Sequence, residues 1–381
     1  MWAKCQILVP SPISAPSSTT ARGWAKYFLA SSDIGNTRVK NSWSNISLAP
    51  VELMVENEKA PFVSVIIPAY NEERYIRKCL TEWVNQDYPK ERYEILVYDG
   101  MSTDRTPEIV KEFEMKYPGL VSYRKNPKKN QVYAFNMGIK DSRGEFFIIF
   151  GAHAYPERDF LRKSVETFLE IKEKEPKLAG VGGKIIKLFE NRLAKFVALV
   201  YSSPLSGAST FWYEERPHFA RTVAFALYDK AITQEIGGFD EDMLTGNDFE
   251  FNLRINKNGY RLFFNPEIKS YYYARSSWRG FLKQTFNYGA VKGVAIRKGY
   301  FSPLWLFPLG FLGFEVLLPV IPQFLWLFAL YWLALFGEGL RLAYKTKNSD
   351  GVFLPPVMFL FHNLISLGFI AGLLFHKRAF R

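Results

Sequence analysis

The chain has 381 residues, with 49 Lys and Arg against 37 Asp and Glu and a formal net charge of +12. That length admits two ordinary domains, or one domain plus a membrane region. The basic balance suits anionic partners. The 34 Phe and 21 Tyr sit in long apolar runs rather than between Lys and Arg, which points away from nucleic acid and towards a membrane surface or a phosphorylated substrate. Two cysteines, Cys5 and Cys79, are too few for a disulfide framework and form no Cys-x-x-Cys pair, as expected in a reducing compartment.

The apolar stretch at residues 7–9 is too short for a signal peptide, and residues 10–50 are rich in Ser, Thr, Asn and Pro. Residues 1–60 are therefore expected to form a poorly structured extension. Regularity begins at Phe62. Val63, Val65, Ile66 and Ile67 mark a buried parallel strand ending at Pro68. A helix is expected from Asn71 to about Gln86, broken by Pro89. A second strand over 93–98 leads into Asp99, Gly100, Met101, Ser102, Thr103 and Asp104. Thr106 as N-cap and Pro107 after it open the next helix. A strand over 121–124, a helix over 131–141 and a strand over 146–150 follow. This β-α-β-α alternation predicts a doubly wound sheet with ligands at the C-terminal ends of its strands.

Beyond residue 150, helices are expected over 191–201, 229–236 and 248–258, and a strand over 260–265. Apolar runs then cover 304–321, 324–344 and 352–375, against the roughly 20 residues a membrane-crossing helix needs. Three such runs in near succession favour membrane embedding over buried core helices. Glu315, Glu338, His362 and Asn363 suggest polar packing between these helices, or a re-entrant segment. Lys345 and Lys347 after the second run place it, with the basic catalytic domain, on the cytosolic side, so the first two runs form a hairpin. A spanning third run would leave the basic residues His376, Lys377 and Arg378 outside. The expected organisation is a catalytic domain over 61–300 and a membrane region of about three hydrophobic helices over 301–381.

Three constellations carry chemistry. Asp99 ends a parallel strand, where a carboxylate accepts hydrogen bonds from a nucleobase or ribose, or simply stabilises a turn; Pro68, Asn71 and Glu72 one strand earlier favour binding. His153, after the strand that ends in Phe150 and Gly151, can ligate a metal or hydrogen-bond a diphosphate, although a lone His is more often satisfied by backbone. The run Gly237, Gly238, Phe239, Asp240, Glu241 precedes Gly246, Asn247, Asp248. A carboxylate at that helix start can act as a general base or merely cap the helix.

Together these residues resemble the family 2 inverting glycosyltransferases of the GT-A fold over roughly 61–297, and within them the succinoglycan-type glucosyltransferases. Ala152, His153 and Ala154, the segment from Ser202 to Gly207 and the C-terminal apolar helices carry the closer likeness. The resemblance implies an α/β, GT-A Rossmann-like mixed sheet and a membrane-anchored enzyme. It implies that Pro68, Asn71, Glu72, Asp99, Ser102, Asp104 and Asn136 bind a nucleotide-sugar donor. It places Gly238, Asp240 and Gln284 at the acceptor and makes Asp248 the base. A divalent cation, Mn²⁺ or Mg²⁺, is implied as cofactor, with His153 as its protein ligand. Gly151 stands where the family's first metal-binding Asp is usual, and Asn247 where the Glu beside the catalytic Asp is usual. Lys128, Lys129 or Arg124 would supply part of the missing positive charge. Gln284 without a following Arg-Trp speaks against a processive synthase. The activity expected is inverting transfer from a nucleotide-diphosphate sugar to a lipid-linked saccharide or other membrane-proximal acceptor, with the cell membrane as location and a cytoplasmic catalytic domain. The alternatives are a polyprenyl- or dolichyl-phosphate glycosyltransferase and a catalytically weak scaffold. A dinucleotide-binding enzyme is disfavoured, since no Gly-x-Gly-x-x-Gly follows the first strand.

Overall fold

The computed structural model describes residues 60–206, 214–243, 245–274, 277–347 and 349–375. Apart from Ala60, the extension expected at the N-terminus lies outside them, as does the basic tail at 376–378. Strands β1 (Val63–Ala69), β2 (Tyr93–Asp99), β3 (Val121–Lys125) and β4 (Phe146–Ile149) run parallel in the order β3-β2-β1-β4. Helices α1 (Ile76–Val84), α2 (Thr106–Lys116) and α3 (Gln131–Asp141) make the crossovers. Both faces of β1 are covered, so its sequence is a continuous apolar run rather than an alternation. Val63, Val65 and Ile67 pack with Ile76, Leu80 and Trp83 of α1. Ile66 packs into the opposite layer with Val132, Phe135 and Ile139 of α3.

Two helix starts differ from expectation. Asn71 has φ 54°, and Tyr75 N and Ile76 N both donate to Glu72 O, so a turn occupies 71–75 and α1 begins at Ile76. Thr106 opens α2 but does not cap it; its Oγ1 accepts from Glu72 N at 2.8 Å.

The second half of the sheet contains β5 (Ala154–Pro156), β6 (Leu178–Leu188), β7 (His218–Ala220), β8 (Leu227–Asp229) and β9 (Arg261–Tyr273). The order continues β4-β8-β6-β9-β5, with β7 on β9. Strand β8 is antiparallel to both neighbours, while β6 and β9 are parallel. Strand β9 runs past the expected end at Asn265. Its pairing with β6 jumps from Gly183↔Asn265 to Lys184↔Lys269, an irregularity that accommodates Pro266, which has no ladder donor. Helices α4 (Phe160–Lys174), α5 (Arg192–Ser202), α6 (Lys230–Ile236) and α7 (Asn247–Lys257) flank this half.

Four helices close the described chain: α8 (Trp278–Arg297), α9 (Phe307–Leu317), α10 (Phe324–Thr346) and α11 (Leu354–Phe375). Helix α9, at 11 residues, is too short to cross a bilayer, because Pro303 and Pro308 at its entry and the turn at 318–323 cut the first apolar run down. The segments Phe324–Thr346 and Ser349–Phe375 are long and apolar enough to do so. A core helix of a soluble protein is mostly buried, whereas α10 exposes Trp326, Leu330, Leu333 and Leu340.

Helix α11 behaves differently: it runs parallel to α8 at backbone distance. A Cβ at Gly289 or Gly293 of α8 would stand 2.0 Å from Ile365 O or 2.2 Å from Phe369 O. At Gly368 or Gly372 of α11 it would stand 2.0 Å from Phe286 O or 2.1 Å from Ala290 O. Arg297 Nη1 donates to Leu373 O and Leu374 O, both at 3.1 Å, closing the C-terminus of α11. Phe196, Val197 and Val200 of α5 join Phe281, Leu335, Met358 and Phe361 in one cluster, and Arg192 makes a two-nitrogen ion pair with Asp350. Several polar residues in the apolar runs have polar partners. Asn363 donates to Glu315 Oε1, Tyr331 bonds His362 Nδ1 at 2.8 Å, and His362 Nε2 donates to Leu205 O.

Candidate active site

The loops leaving β1 and β2 are fastened to each other. Asn71 N donates to Ser102 Oγ at 2.8 Å, and Thr103 N donates back to Asn71 Oδ1 at 2.9 Å. Glu73 N donates to Asp104 Oδ2, and Arg105 N to Glu73 Oε2. Three of the expected donor contacts, Asn71, Ser102 and Asp104, are therefore side chains that fix the shape of the site's edge. Asp99 is buried at the floor of this edge. It accepts from Ser102 N and from Tyr123 Oη at 3.1 Å, leaving lone pairs for a further donor. Pro68 is the penultimate residue of β1, paired in register with Tyr98.

His153 and Glu72, given separate roles above, meet: Nδ1 lies 3.0 Å from Glu72 Oε1, and the ring packs 5.1 Å from that of Tyr272 on β9. Among the described residues no three His, Cys, Asp or Glu side chains converge as a metal cage. Among the described residues, His153 offers a cation its Nε2, on a ring oriented by a carboxylate, the usual support of a ligating His. Such a set suits Mn²⁺ better than Mg²⁺, which prefers oxygen. Lys128 lies 3.8 Å from Glu241 and over the Tyr133 ring, so part of its charge is already answered.

The opposite wall is built on α3 and α7. Asn136, half-buried, donates to Phe239 O and accepts from Phe239 N, each at 2.8 Å. It thereby clamps the Gly-Gly-Phe-Asp-Glu loop, and a Cβ on Gly238 would come within 2.7 Å of its Oδ1. Asp240 is ion-paired with Lys298. Gly246 takes the cap position of α7 with φ 66°. That left-handed backbone favours Gly, and Val291 of α8 fills the space a Cβ would need. Asp248 therefore lies inside the first turn and is not the cap. Its Oδ1 accepts from Phe249 N at 2.9 Å. A helix N-terminus favours the carboxylate, but burial outweighs it and pushes the carboxyl above the usual carboxylate range. Asn247, in place of the usual Glu, is buried and accepts from Gln131 Nε2 at 2.8 Å, tying the start of α7 to the start of α3.

Gln284 lies elsewhere, at a narrow crevice with room for about one water, lined by Lys187, Val197, Tyr201, Tyr272, Ala274 and Tyr288. Sequence reasoning missed Tyr123 and Gln131. Each works through a partner more than 20 positions away, so no local spacing marks it.

A mixed sheet with a buried Asp at the end of β2, an oriented imidazole after β4 and a desolvated Asp opening a helix beyond defines a GT-A-type sugar transferase. The glycosyl transferase family 2 model matches residues 64–236, and the glycosyl transferase family group 2 model residues 168–340. The dolichyl N-acetyl-α-D-glucosaminyl phosphate 3-β-D-2,3-diacetamido-2,3-dideoxy-β-D-glucuronosyltransferase of Methanococcus voltae is 52% identical over 84% of this chain and 99% of its own. The chain belongs to glycosyl transferase family 2. Succinoglycan biosynthesis protein ExoA of Rhizobium meliloti is 25% identical over 82% of this chain and 96% of its own, so the succinoglycan likeness is real but more distant than the archaeal one. The solved mannosyltransferase PcManGT from Pyrobaculum calidifontis, in complex with GDP-Man and Mn²⁺, shares the fold with TM-score 0.54 and 21% identity, covering 84% of this chain and 88% of that one.

Proposed function

We propose that this glycosyltransferase moves a sugar from a nucleotide-diphosphate donor, with inversion, onto a sugar carried by a polyprenyl phosphate such as dolichyl phosphate. The observation that carries this reading is the 52% identity over 99% of the M. voltae enzyme, whose name gives its acceptor as dolichyl N-acetylglucosaminyl phosphate. The apolar outer face of α10 supports the same reading, because it would confine the enzyme to the surface where such an acceptor lies. The catalytic domain over 61–300 would then work at the cytoplasmic face, with the region after it in contact with the bilayer.

In this mechanism the Asp248 carboxylate takes the proton from the acceptor hydroxyl as that oxygen attacks the anomeric carbon. Its burial makes it a stronger base than a solvated Asp. Asp99 accepts a hydrogen bond from the donor's nucleoside, with Ser102 and Tyr123 holding its carboxylate in place. Gln131 and Asn247 hold α7 so that Asp248 faces the donor. Glu72 fixes the tautomer of His153, so that Nε2 faces the diphosphate. A divalent cation, when bound there with the donor, supplies charge neutralisation for the departing nucleoside diphosphate.

The test is transfer of label from a panel of nucleotide sugars to dolichyl-phospho-N-acetylglucosamine, with dolichyl phosphate in parallel. Product on the first and none on the second is expected. Product on dolichyl phosphate alone would replace this reading with that of a polyprenyl-phosphate glycosyltransferase.

A further inference from the structure

Helix α8 stops at Gly299, whose φ of 79° is a left-handed backbone that favours glycine. Gly299 N donates to Ile296 O and Tyr300 N to Ala295 O, the paired bonds of a Schellman turn. The chain reverses there, and the residues on either side of the glycine both reach the elements that carry Asp248. Lys298 pairs with Asp240 Oδ2, while Asp240 Oδ1 accepts from Asp242 N at 2.9 Å. Tyr300 Oη donates to Glu250 Oε1 at 3.1 Å, and Lys257 lies over the Tyr300 ring. Further back along α8, Val291 and Val294 pack with Met243 and Phe249. Trp305 packs against Phe249 from beyond the turn.

Glu250 passes the constraint on. It is buried and takes Arg254 in a two-pronged pair, Nε to Oε1 at 3.1 Å and Nη2 to Oε2 at 3.0 Å. The same guanidinium donates to Ile236 O, Gly237 O and Gly238 O at 3.2, 3.0 and 2.7 Å. Such a set of bonds needs a planar fork, which an ammonium does not provide. Asn136 holds Phe239 from the other side. The Gly-Gly-Phe-Asp-Glu loop is therefore tied to α3 by Asn136, to α7 by Arg254 and to the end of α8 by Lys298. Tyr300 ties α7 to that same end of α8. Asp248 lies in the first turn of α7, two residues before Glu250, so the loop and this carboxyl share one frame.

We propose that Lys298 and Tyr300 are positioning residues for sugar transfer: they lock the 237–241 loop and α7 to the end of α8, and so fix the distance between an acceptor hydroxyl resting on that loop and Asp248. This rests on the transfer reading above, with Asp248 as the base. Both residues act through partners. Lys298 acts through Asp240, whose carboxylate is a tether within the loop rather than a contact to the acceptor, and Tyr300 acts through Glu250. A misplacement of about 1 Å at a reacting group costs about 100-fold in rate. The loss falls on kcat rather than on binding, because alignment counts chiefly in the transition state.

The test uses the full chain in detergent, with dolichyl-phospho-N-acetylglucosamine as acceptor, the nucleotide sugar that supports transfer as donor, and UDP and GDP as probes of nucleotide affinity. Lys298→Met is expected to lower kcat by about 10- to 100-fold and Tyr300→Phe by about 10-fold. Nucleotide affinity and acceptor KM should stay within about threefold of the parent's. Lys298→Arg, which keeps the charge, should recover most of the loss. Asp240→Asn should lose as much as Lys298→Met, and the double variant no more than either alone, because the two residues work as one tether. Glu250 and Arg254 are left intact, since breaking a buried pair endangers folding, and the melting temperature of every variant is measured. Parental kcat in Lys298→Met or Tyr300→Phe, a loss confined to nucleotide affinity or to melting temperature, or additive losses in the double variant overturns the positioning role and leaves the transfer reading standing. A parent that binds nucleotide but makes no product on this acceptor overturns the transfer reading, and the positioning role with it.

Discussion

Asp248 concentrates the conflict between stability and function in one carboxyl. Burial raises its folded-state pKa above the roughly 3.9 of an unfolded chain. Between those two values the folded protein binds the extra proton, so stability falls as pH rises through that window and stays lower above it. Asp248→Asn keeps an oxygen for Phe249 N but removes the buried charge. It is expected to lower transfer by about 10²–10⁴-fold while the melting temperature at pH 7 equals or exceeds the parent's. Near-parental transfer would remove Asp248 from the base role. In the parent, kcat should fall with acidification at a pH above that of an ordinary carboxylate, as Asp248 takes up its proton. At the other end of the site, Asp99→Ala is expected to weaken nucleotide binding by about 10- to 100-fold, the worth of one hydrogen bond to a charged group. Tyr123→Phe, which removes one of the bonds that position Asp99, should cost less. Unchanged affinity in calorimetry for Asp99→Ala would sink the nucleoside assignment.

At the scale of elements, α8 and α11 act as a pair. Four glycines let their backbones touch, so a side chain at any of them must push the helices apart. Gly289→Val is expected to destabilise by about 1–3 kcal/mol or more, read as a lower melting temperature. Gly310→Val on α9, where nothing lies within 4 Å of an added Cβ, should leave it unchanged; equal effects would mean that α8 and α11 do not pack this closely. The same pairing bears on topology. Helix α8 carries Arg279, Lys283, Lys292 and Arg297, a set too costly to run beside α11 through hydrocarbon. We therefore expect α11 to stay with the catalytic domain, α9 and α10 to enter the bilayer and return without crossing it, and the C-terminus to remain on the cytosolic side. A cysteine appended after Arg381 should resist an impermeant thiol reagent applied to intact cells; labelling from outside would mean that α11 spans.

At the scale of the whole molecule, the first half of the sheet was legible because β1 and β4 are buried along almost their whole length and read as apolar runs, and because Pro107 marks the start of a crossover helix. The second half was not: β5, β7 and β8 are three residues each and owe their existence to partners brought from far along the chain. Site residues divided in the same way. Asp99, His153 and Asp248 stand at strand or helix ends, positions that local pattern predicts. That Glu72 turns to His153 and that Asn136 clamps Phe239 depend on contacts across 81 and 103 positions, to which no periodicity is sensitive. Composition alone likewise determined that the last 80 residues hold enough apolar length for bilayer contact. Only the tertiary structure separated α10, whose apolar face is open, from α11, whose glycines bind it to α8. Hydrophobicity states how much surface must leave water, and packing decides whether lipid or protein covers it.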